Sequence, residues 1–399
     1  MSEWKKVKLG NLSTIFSGFA FKSKDMNNIG GIPIIKIKNI NNFIVSTVCD
    51  SYLNTNIELG KYERFKLQPN DFLIAMTGQG SVGRVGKMMN YSPIFYVNQR
   101  VAIVRPDIEK VNPYYLYKCL ATNEREKELF NKANGAGQPN ISPAQIGDLD
   151  LAIPNLPTQH CIATILSRYD SLIENYQKQI KLLEEAAQRL YKEWFVNLHF
   201  PGHENTKIID GVPEGWEKKP ISQLGEYLNG FAFKPSDWQE SGKPIIKIKE
   251  MGNGVNNDTP RNNGERVPAK YLVKAGDLLF SWSATLMVIV WSGEEGWLNQ
   301  HLFKVTPAKG IGREFLLQSI SNTIEEFLNL TTGSTMKHIQ RNKLDQVFVN
   351  VPNDEIMKLY SSIAEKEREE LLHFSSQIRL LTEARDRLLP KLMSGEIAV

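Results

Sequence analysis

The stretch QIKLLEEAAQRL, at residues 179–190, returns almost unchanged as QIRLLTEARDRL at residues 377–388. Around the first copy, apolar residues recur at steps of three or four, and neither glycine nor proline interrupts residues 159–195. This spacing is a heptad seam and predicts a long helix that pairs with another helix. An amphipathic helix lying on one globular core is the alternative. Its length of about 55 Å argues against that alternative, because a small domain is narrower.

The second copy keeps the seam, except that Arg385 occupies the position of Ala187. We therefore predict that the two helices pair with each other inside the chain. The residues predicted to form this pairing are Ile173, Tyr176, Ile180, Leu183 and Leu190 in the first helix, and Leu371, Phe374, Ile378, Leu381 and Leu388 in the second.

The repeat extends outward from these helices over most of the chain. The phrase SGFAFKSKD (17–25) returns as NGFAFKPSD (229–237), and VNQRVAIVRP (97–106) returns as LNQHLFKVTP (298–307). The offset between the copies falls from 212 at the first phrase to 198 at the helices. A drifting offset indicates insertions and deletions in loops between fixed elements. The chain is therefore predicted to contain a duplicated domain and a duplicated helix, in alternation.

Short runs rich in Ile, Val and Leu, bounded by turn residues, predict strands. They are IPIIKIKNI (32–40), DFLIAMT (71–77), QRVAIVRP (99–106) and DLDLAIP (148–154). Residues 112–133 are predicted to form a helix, with Asn112 as its cap and Pro113 in its first turn. The predicted fold class is α+β, with two similar globular domains separated and followed by two long antiparallel coiled-coil helices in a pseudo-twofold repeat. The predicted boundaries are 1–155, 156–197, 198–352 (linker and second domain) and 353–399.

Composition narrows the class of protein. The chain has 399 residues, 41% hydrophobic, with neither an apolar run of membrane-spanning length nor an apolar leader at its start. Its three cysteines, Cys49, Cys119 and Cys161, are widely spaced, which predicts reduced thiols and a cytoplasmic protein. Residues 1–155 hold 19 Lys+Arg against 13 Asp+Glu. This excess suits a DNA partner; a basic surface without a polyanionic partner is the alternative.

Three motifs suggest catalysis or metal binding, and each is better explained otherwise. GQGSVG (78–83) matches GxGxxG, but a strand rather than a helix is predicted to follow, which favours a glycine-rich hairpin or loop. NPYY (112–115) resembles the tetrad of amino-methyltransferases without its second proline, and a helix start explains it. His199 and His203 stand four apart, but Pro201 and Gly202 between them exclude a helical metal site. The chain is predicted to be non-catalytic, with no metal site.

A resemblance to a known family emerges at this point. The ending QIRLLTEARDRLLPKLMSGEI (377–397), the paired GFAFK phrases and GSTMKHI (333–339) are similar to specificity subunits of type I restriction–modification systems, the HsdS family. The similarity spans nearly the whole chain. The resemblance implies that each globular domain is a target-recognition domain that reads one half of a bipartite, asymmetric site on double-stranded DNA.

The resemblance also implies partners. The helices would act as a spacer and would dock two methyltransferase (M) subunits, and restriction and translocation (R) subunits would join this core. S-adenosylmethionine, ATP and magnesium would then be bound by the partner subunits, and no cofactor by this chain. No membrane association is implied.

Which residues meet DNA is predicted from their chemistry. Basic side chains suit phosphates, whereas Gln, Asn, Arg and His side chains in loops suit base edges. The predicted phosphate partners are Lys22, Lys36, Lys38, Arg84, Lys234, Lys247 and Lys249. The predicted base readers are Gln79, Gln99, Arg100, Gln138 and Asn140 in the first domain, and Gln300, His301, Lys337, His338 and Arg341 in the second.

Alternatives remain for these residues and for the function. Lys36 and Lys38 alternate with isoleucines, so a strand would place both lysines on one face, which an ordinary solvated sheet face explains equally. Asn98-Gln99 recurs as Asn299-Gln300, and a shared pair favours a structural or phosphate contact over specificity. A scaffold or decoy that binds methyltransferase subunits without reading DNA is the first rival function. A diverged methyltransferase, which would itself bind S-adenosylmethionine, is the second.

Overall fold

The computed structural model describes residues 4–88, 93–135, 137–330 and 341–399. The chain divides into two compact units, Met1–Asp170 with Ala384–Val399, and Ser171–Glu383. Each of the two long helices therefore contributes residues to both units. Because the long helices are packed with two β-rich domains, the predicted α+β class is confirmed.

The first unit is built from short strands and short helices. Its strands are β1 (Lys5–Lys8), β2 (Ser13–Ser17), β3 (Met26–Asn27), β4 (Ile32–Ile35), β5 (Ile40–Asn41), β6 (Phe43–Val45), β7 (Tyr52–Leu53), β8 (Phe72–Ala75), β9 (Val85–Lys87), β10 (Tyr96–Val97), β11 (Val101–Pro106) and β12 (Asp150–Ile153). Its helices are α1 (Leu9–Leu12), α2 (Pro113–Leu120), α3 (Asn123–Lys132) and α4 (Pro143–Gly147). The long helix α5 (Leu156–Tyr191) follows.

Two sheets carry the first domain. A six-stranded sheet has the order β2-β11-β8-β9-β6-β5, and a four-stranded sheet has the order β10-β4-β7-β3. Strands β8 and β11 are almost wholly apolar because both of their faces are buried. Phe72 on one face of β8 packs in one core with Tyr115 and Leu116 of α2, and Leu73 on the other face packs in a second core with Phe95. The central sheet thus fixes the loops at its strand ends.

The second unit repeats this plan. Its strands are β13 (Ile208–Ile209), β14 (Val212–Pro213), β15 (Glu217–Pro220), β16 (Gly225–Asn229), β17 (Lys243–Ile246), β18 (Arg261–Asn262), β19 (Leu272–Val273), β20 (Leu278–Ser281), β21 (Met287–Val290), β22 (Gly296–Leu298), β23 (Leu302–Pro307) and β24 (Phe348–Val351). Its helices are α6 (Ile248–Asn253), α7 (Arg313–Asn322), α8 (Ile324–Asn329) and the long α9 (Asp354–Ser394). The order β16-β23-β20-β21 reproduces β2-β11-β8-β9.

The long helices begin with equivalent caps. The Asn155 side-chain oxygen accepts a hydrogen bond from the Thr158 N–H at 2.9 Å, and the Asn353 oxygen accepts one from the Ile356 N–H at 3.0 Å. These caps satisfy backbone donors that lack helical partners. Helix α5 passes into a π-helical turn at Lys192–Val196.

Within the second unit, the long helices α5 and α9 run antiparallel to each other. The rings of Tyr176 and Phe374 stack with centroids 5.0 Å apart. The ring centroids of Trp194, in the π-helical turn after α5, and Tyr360 lie 5.9 Å apart. Residue numbers therefore rise along α5 and this turn while those of their partners in α9 fall. Of the residues predicted to pair, Ile173 and Leu371 are buried, and the following are half-buried: Ile180, Leu183, Leu190, Ile378, Leu381 and Leu388.

Two local predictions are wrong. Residues 112–133 form two helices, because the Thr122 hydroxyl accepts a hydrogen bond from the Arg125 N–H at 3.2 Å and starts a new helix. Lys36 and Lys38 do not share a strand: β4 ends at Ile35, and Ile37–Asn39 is a 3-10 turn. The buried Asn39 closes this turn by accepting a hydrogen bond from the Lys36 N–H at 3.0 Å.

Candidate nucleic-acid interface

The GFAFK phrases hold the same place in both domains. The N–H groups of Gly18 and Phe19 donate to the carbonyls of Val101 and Val97 at 2.9 and 2.8 Å. In the second domain, Gly230 and Phe231 donate to Leu302 and Leu298 at 3.0 and 2.8 Å. The repeated phrase therefore clamps the turn that follows β10 or β22.

Only glycine fits at the start of this clamp. A Cβ atom on Gly18 would lie 2.2 Å from the Val97 carbonyl oxygen, and one on Gly230 would lie 2.2 Å from the Asn299 carbonyl oxygen. Such distances are far inside van der Waals contact. The repeated glycine is thus explained by close backbone approach.

The repeated Asn-Gln pair is placed by the same clamp. Gln99 and Gln300 donate their N–H groups to the carbonyls of Phe19 and Phe231 at 3.0 and 2.9 Å. The side-chain oxygen of Asn98 accepts a hydrogen bond from the Arg100 N–H at 3.2 Å. These contacts give the pair a structural role in both turns, and the residue after it, Arg100 or His301, differs between the domains.

Three loops of the first domain converge at one end of the central sheet. The Met76 N–H donates to the Arg100 carbonyl at 3.0 Å, which joins the loop after β8 to the turn after β10. The Gly78 N–H donates to the Pro139 carbonyl at 3.2 Å, which adds the loop after α3. The predicted base readers brought to this loop cluster are all exposed: Gln79, Gln99, Arg100, Gln138 and Asn140.

The glycine-rich motif forms part of this cluster. Gly78, Gly80 and Gly83 have φ values of 106°, 73° and 89° and connect two antiparallel strands, β8 and β9. The hairpin prediction is therefore confirmed. Glu126 anchors the hairpin by accepting a hydrogen bond from the Val85 N–H at 2.9 Å. Burial raises the pKa of Glu126, while the Val85 N–H and the charge of the neighbouring Arg84 act to lower it.

Two of the predicted phosphate partners, Lys36 and Lys38, lie in the turn that begins where β4 ends. Lys36 follows β4, whose last residue, Ile35, accepts a hydrogen bond from the Asn98 N–H at 2.9 Å, so the lysine borders the Asn-Gln turn. The ammonium groups of Lys36 and Lys38 both pair with Asp50. The hydrogen bond from Lys38 is the main reason that the pKa of Asp50 is lowered. Lys22 is exposed, and no described contact joins it to these loops.

The second domain presents different side chains at its equivalent loops. His301 lies beside Ser283, with Nδ1 and Oγ 3.3 Å apart, and its ring lies 5.8 Å from that of Trp282. Lys247 follows β17, and its ammonium group lies 5.3 Å from the ring of Trp238, which is 51% exposed. Of the remaining predicted contacts, Gln300 is half-buried and Lys234 and Lys249 are exposed.

Three predicted base readers are not located. Lys337 and His338 fall outside the described residues, as does the GSTMKHI stretch, and the Arg341 side chain is not described. The described part of the chain holds no group of three His, Cys, Asp or Glu residues arranged for a metal ion. Among the same residues, no helix is long and apolar enough to cross a membrane.

Comparison with known proteins identifies the family of this chain. The family model described as the type I restriction modification DNA specificity domain matches residues 1–185 and 213–371. The chain belongs to this family. It is a specificity subunit of a type I restriction–modification system, which is the non-catalytic member of the complex.

Two relatives of this specificity subunit are similar over 94% or more of their length. The MjaIX specificity subunit of Methanocaldococcus jannaschii is 24% identical over 419 residues, covering 100% of this chain and 94% of the relative. The HindI specificity subunit of Haemophilus influenzae is 23% identical over 471 residues, covering all of both chains. The crystal structure of a type I S subunit from M. genitalium shares the fold, with a TM-score of 0.61, 15% identity and coverage of 98% and 96%.

Sequence reasoning missed two aromatic residues of the specificity subunit. Trp282 occupies the loop that corresponds to the glycine-rich hairpin, where its Nε1–H donates to Asn229 at 3.2 Å. Trp238 packs under Lys247. For Trp282, a signal was present in the sequence. When PNDFLIAMT (69–77) is aligned with AGDLLFSWS (275–283), Trp282 falls just after the predicted strand, where the loop begins.

Proposed function

We propose that this chain reads a bipartite, asymmetric site on double-stranded DNA in the cytoplasm, one half-site per domain. The proposed readers are the domains at 1–155 and 198–352, and the proposed spacers are the helical segments at 156–197 and 353–399. The observation that supports this best is the repeated clamp, which carries loops of different sequence. A common frame with different side chains suits two half-sites of different sequence.

Within this proposal, the loop cluster of the first domain reads bases through Gln79, Arg100, Gln138 and Asn140. The lysines at the neighbouring strand ends contact phosphates. Because Asp50 neutralises part of the charge of Lys36 and Lys38, phosphate binding there requires those lysines to leave Asp50. The second domain uses His301 and the side chains around it, with Lys337, His338 and Arg341 as further proposed contacts.

The helices are proposed to set the spacing between half-sites. With 36 residues in one helix and 41 in the other, a rise of about 1.5 Å per residue gives lengths of about 54 and 62 Å. About 55 Å of helix matches roughly 16 base pairs at ~3.4 Å each. This length bounds the whole footprint, so the gap between the half-sites is shorter.

The helices are also proposed to dock two methyltransferase subunits, and restriction subunits would complete the assembly. Leu182 and Leu380 occupy equivalent places in the two helix copies, and they are 64% and 48% exposed. Exposed leucines at equivalent positions suit two copies of one partner. S-adenosylmethionine, ATP and magnesium would act on those partners.

Substitution of these leucines tests the docking. We expect L182E and L380E each to release one methyltransferase subunit from the purified assembly, and the double variant to release both. L172E is the matched control, because Leu172 is also exposed on α5 but its counterpart in α9 is Glu370. Retention of both subunits by the double variant would contradict docking at these leucines.

A map of methylated bases in host cells, with and without this gene, tests the reading function. We expect one split, asymmetric motif to lose its methylation on deletion. An unchanged map, in cells shown to express the methyltransferase, would favour the scaffold or decoy function instead.

A further inference from the structure

Each domain docks on a long helix through residues at equivalent positions. The helix copies align without gaps at an offset of 198, which pairs Asp170 with Arg368. Helices α2 and α7 align at an offset of 200, because Tyr115, Leu116 and Leu120 fill the same buried positions as Phe315, Leu316 and Ile320. This alignment pairs Tyr114 with Glu314, and Lys118 with Gln318. We call Tyr114, Lys118 and Asp170 the first latch, and Glu314, Gln318 and Arg368 the second latch.

In the first latch the domain donates hydrogen bonds and the helix accepts them. The Tyr114 hydroxyl donates to Asp170 at 2.5 Å, and the Lys118 ammonium pairs with Asp170 at 2.8 Å. The side chains of Lys118 and Asp170 are only 12% and 15% exposed. Arg385 of α9 adds a third donor at 2.9 Å. This contact explains the arginine that interrupts the heptad seam.

In the second latch the direction is reversed. The Arg368 guanidinium on the helix donates Nε–H and Nη2–H bonds to the two Glu314 oxygens of the domain, at 2.7 and 3.0 Å. Their side chains are 7% and 1% exposed. Gln318 donates to Glu314 at 2.8 Å and holds the carboxylate in place.

The pKa shifts of the two helix residues, Asp170 and Arg368, reflect this reversed polarity. Burial acts to raise the pKa of Asp170, but the charge and hydrogen bond of Lys118, with those of Tyr114 and Arg385, lower it overall. Burial acts to lower the pKa of Arg368, but Glu314 raises it overall, helped by the charges of Glu184 and Glu365. The main partner of each buried helix charge is therefore a group of opposite sign on the domain, Lys118 for Asp170 and Glu314 for Arg368, and the other long helix adds Arg385 and Glu184.

We propose that this opposite polarity matches each domain to its own helix. A first domain placed on α9 would set Lys118 and Tyr114 against Arg368, so that donors face a donor. A second domain placed on α5 would set Glu314 against Asp170, so that two buried carboxylates meet. Buried like charges without partners are strongly unfavourable. In a duplicated chain, the latches thus exclude docking of the wrong domain, including a domain from a second copy of this chain.

Transplanting the polarity of one latch onto the other tests the proposal in the full chain. E314Y/Q318K gives the second domain the donors of the first, and R368D gives α9 the acceptor of α5. Each change alone mismatches the latch, so we expect each to lower the midpoint of thermal unfolding by about 10 °C. All three substitutions together restore a matched latch, and we expect at least half of that loss to be recovered.

Recovery in the triple variant supports polarity matching, because residues that merely fill space would give additive losses. A triple variant whose midpoint falls by the sum of the two losses would overturn the proposal. If the triple variant does not fold, the exchange E314R with R368E, which retains both charges, decides the matter in the same way. A double exchange no more stable than its single variants would then overturn it.

Discussion

In the first domain the loop between β8 and β9 reads MTGQGSVGR (76–84), whereas in the second the loop between β20 and β21 reads WSATL (282–286), yet both follow equivalent central strands and meet equivalent clamped turns. The clamps agree bond by bond, while the side chains around them change from the exposed Gln79 and Arg100 to the half-buried Trp282 and His301. The buried frame is thus constrained by backbone geometry, and the loops are free to diverge. Under the proposed function, duplication of this frame yields two readers of different specificity on one fold.

Breaking the shared frame is expected to have the largest effect. Gly18→Val and Gly230→Val each force a side chain against a carbonyl oxygen 2.2 Å from the Cβ position, and we expect each to destabilise its domain by about 4 kcal/mol or more. Thermal unfolding measures this loss. Gly60→Ala is the control, since nothing lies within 4 Å of its Cβ position. Equal losses in the variants and the control would contradict the clamp.

Changing one loop cluster should affect one half-site only. We expect Arg100→Ala to weaken binding about 10- to 100-fold through the first half-site, because a base or phosphate contact is lost. His301→Ala should act on the second half-site alone. The measurement is binding of the purified assembly to DNA with either half-site scrambled. An Arg100→Ala variant that remains sensitive to scrambling of both half-sites to the wild-type degree would contradict the assignment.

The first latch makes the stability of the first domain sensitive to acid. The pKa of Asp170 in the folded chain lies below its ordinary value of 3.8, so its stabilisation is present above pH 4 and is lost as pH falls through the folded pKa. We expect Asp170→Asn to cost about 2 kcal/mol at pH 7, and this difference from wild type to shrink towards pH 2.5. Urea unfolding across that range measures it, and a constant difference would contradict the ionic latch.

The smallest expected effect is a gain in stability. Lys87 borders the first latch, where burial and the charge of Lys118 lower its pKa. Lys87→Met removes a half-buried cation, so we expect a gain of about 1 kcal/mol at pH 7 that diminishes as pH rises through the lowered pKa of Lys87 in the folded chain. Lys127→Met, at an exposed position of the same domain, should leave stability unchanged. A loss of stability in Lys87→Met would show that the lysine is a favourable member of the latch.

Local patterns predicted the elements whose causes are local. The heptad seam predicted the long helices, Asn112 and Pro113 predicted the start of α2, and the strand after GQGSVG predicted the hairpin. The turn at Ile37–Asn39 was missed because the buried Asn39 side chain, rather than strand propensity, decides it. The latches were missed because their partners stand 50 or more residues apart. Their one visible signal was Arg385 in an apolar seam.

The measurement that tests the two-reader account most directly is a map of methylated bases in cells whose chain carries residues 1–155 from another family member. The donor domain should keep hydrogen-bond donors at the positions of Tyr114 and Lys118, so that the first latch still closes on Asp170. The account predicts that one half of the methylated motif changes while the other half stays the same. Methylation by the partner subunit should continue at the new motif. A change in both halves, or in neither, would contradict it.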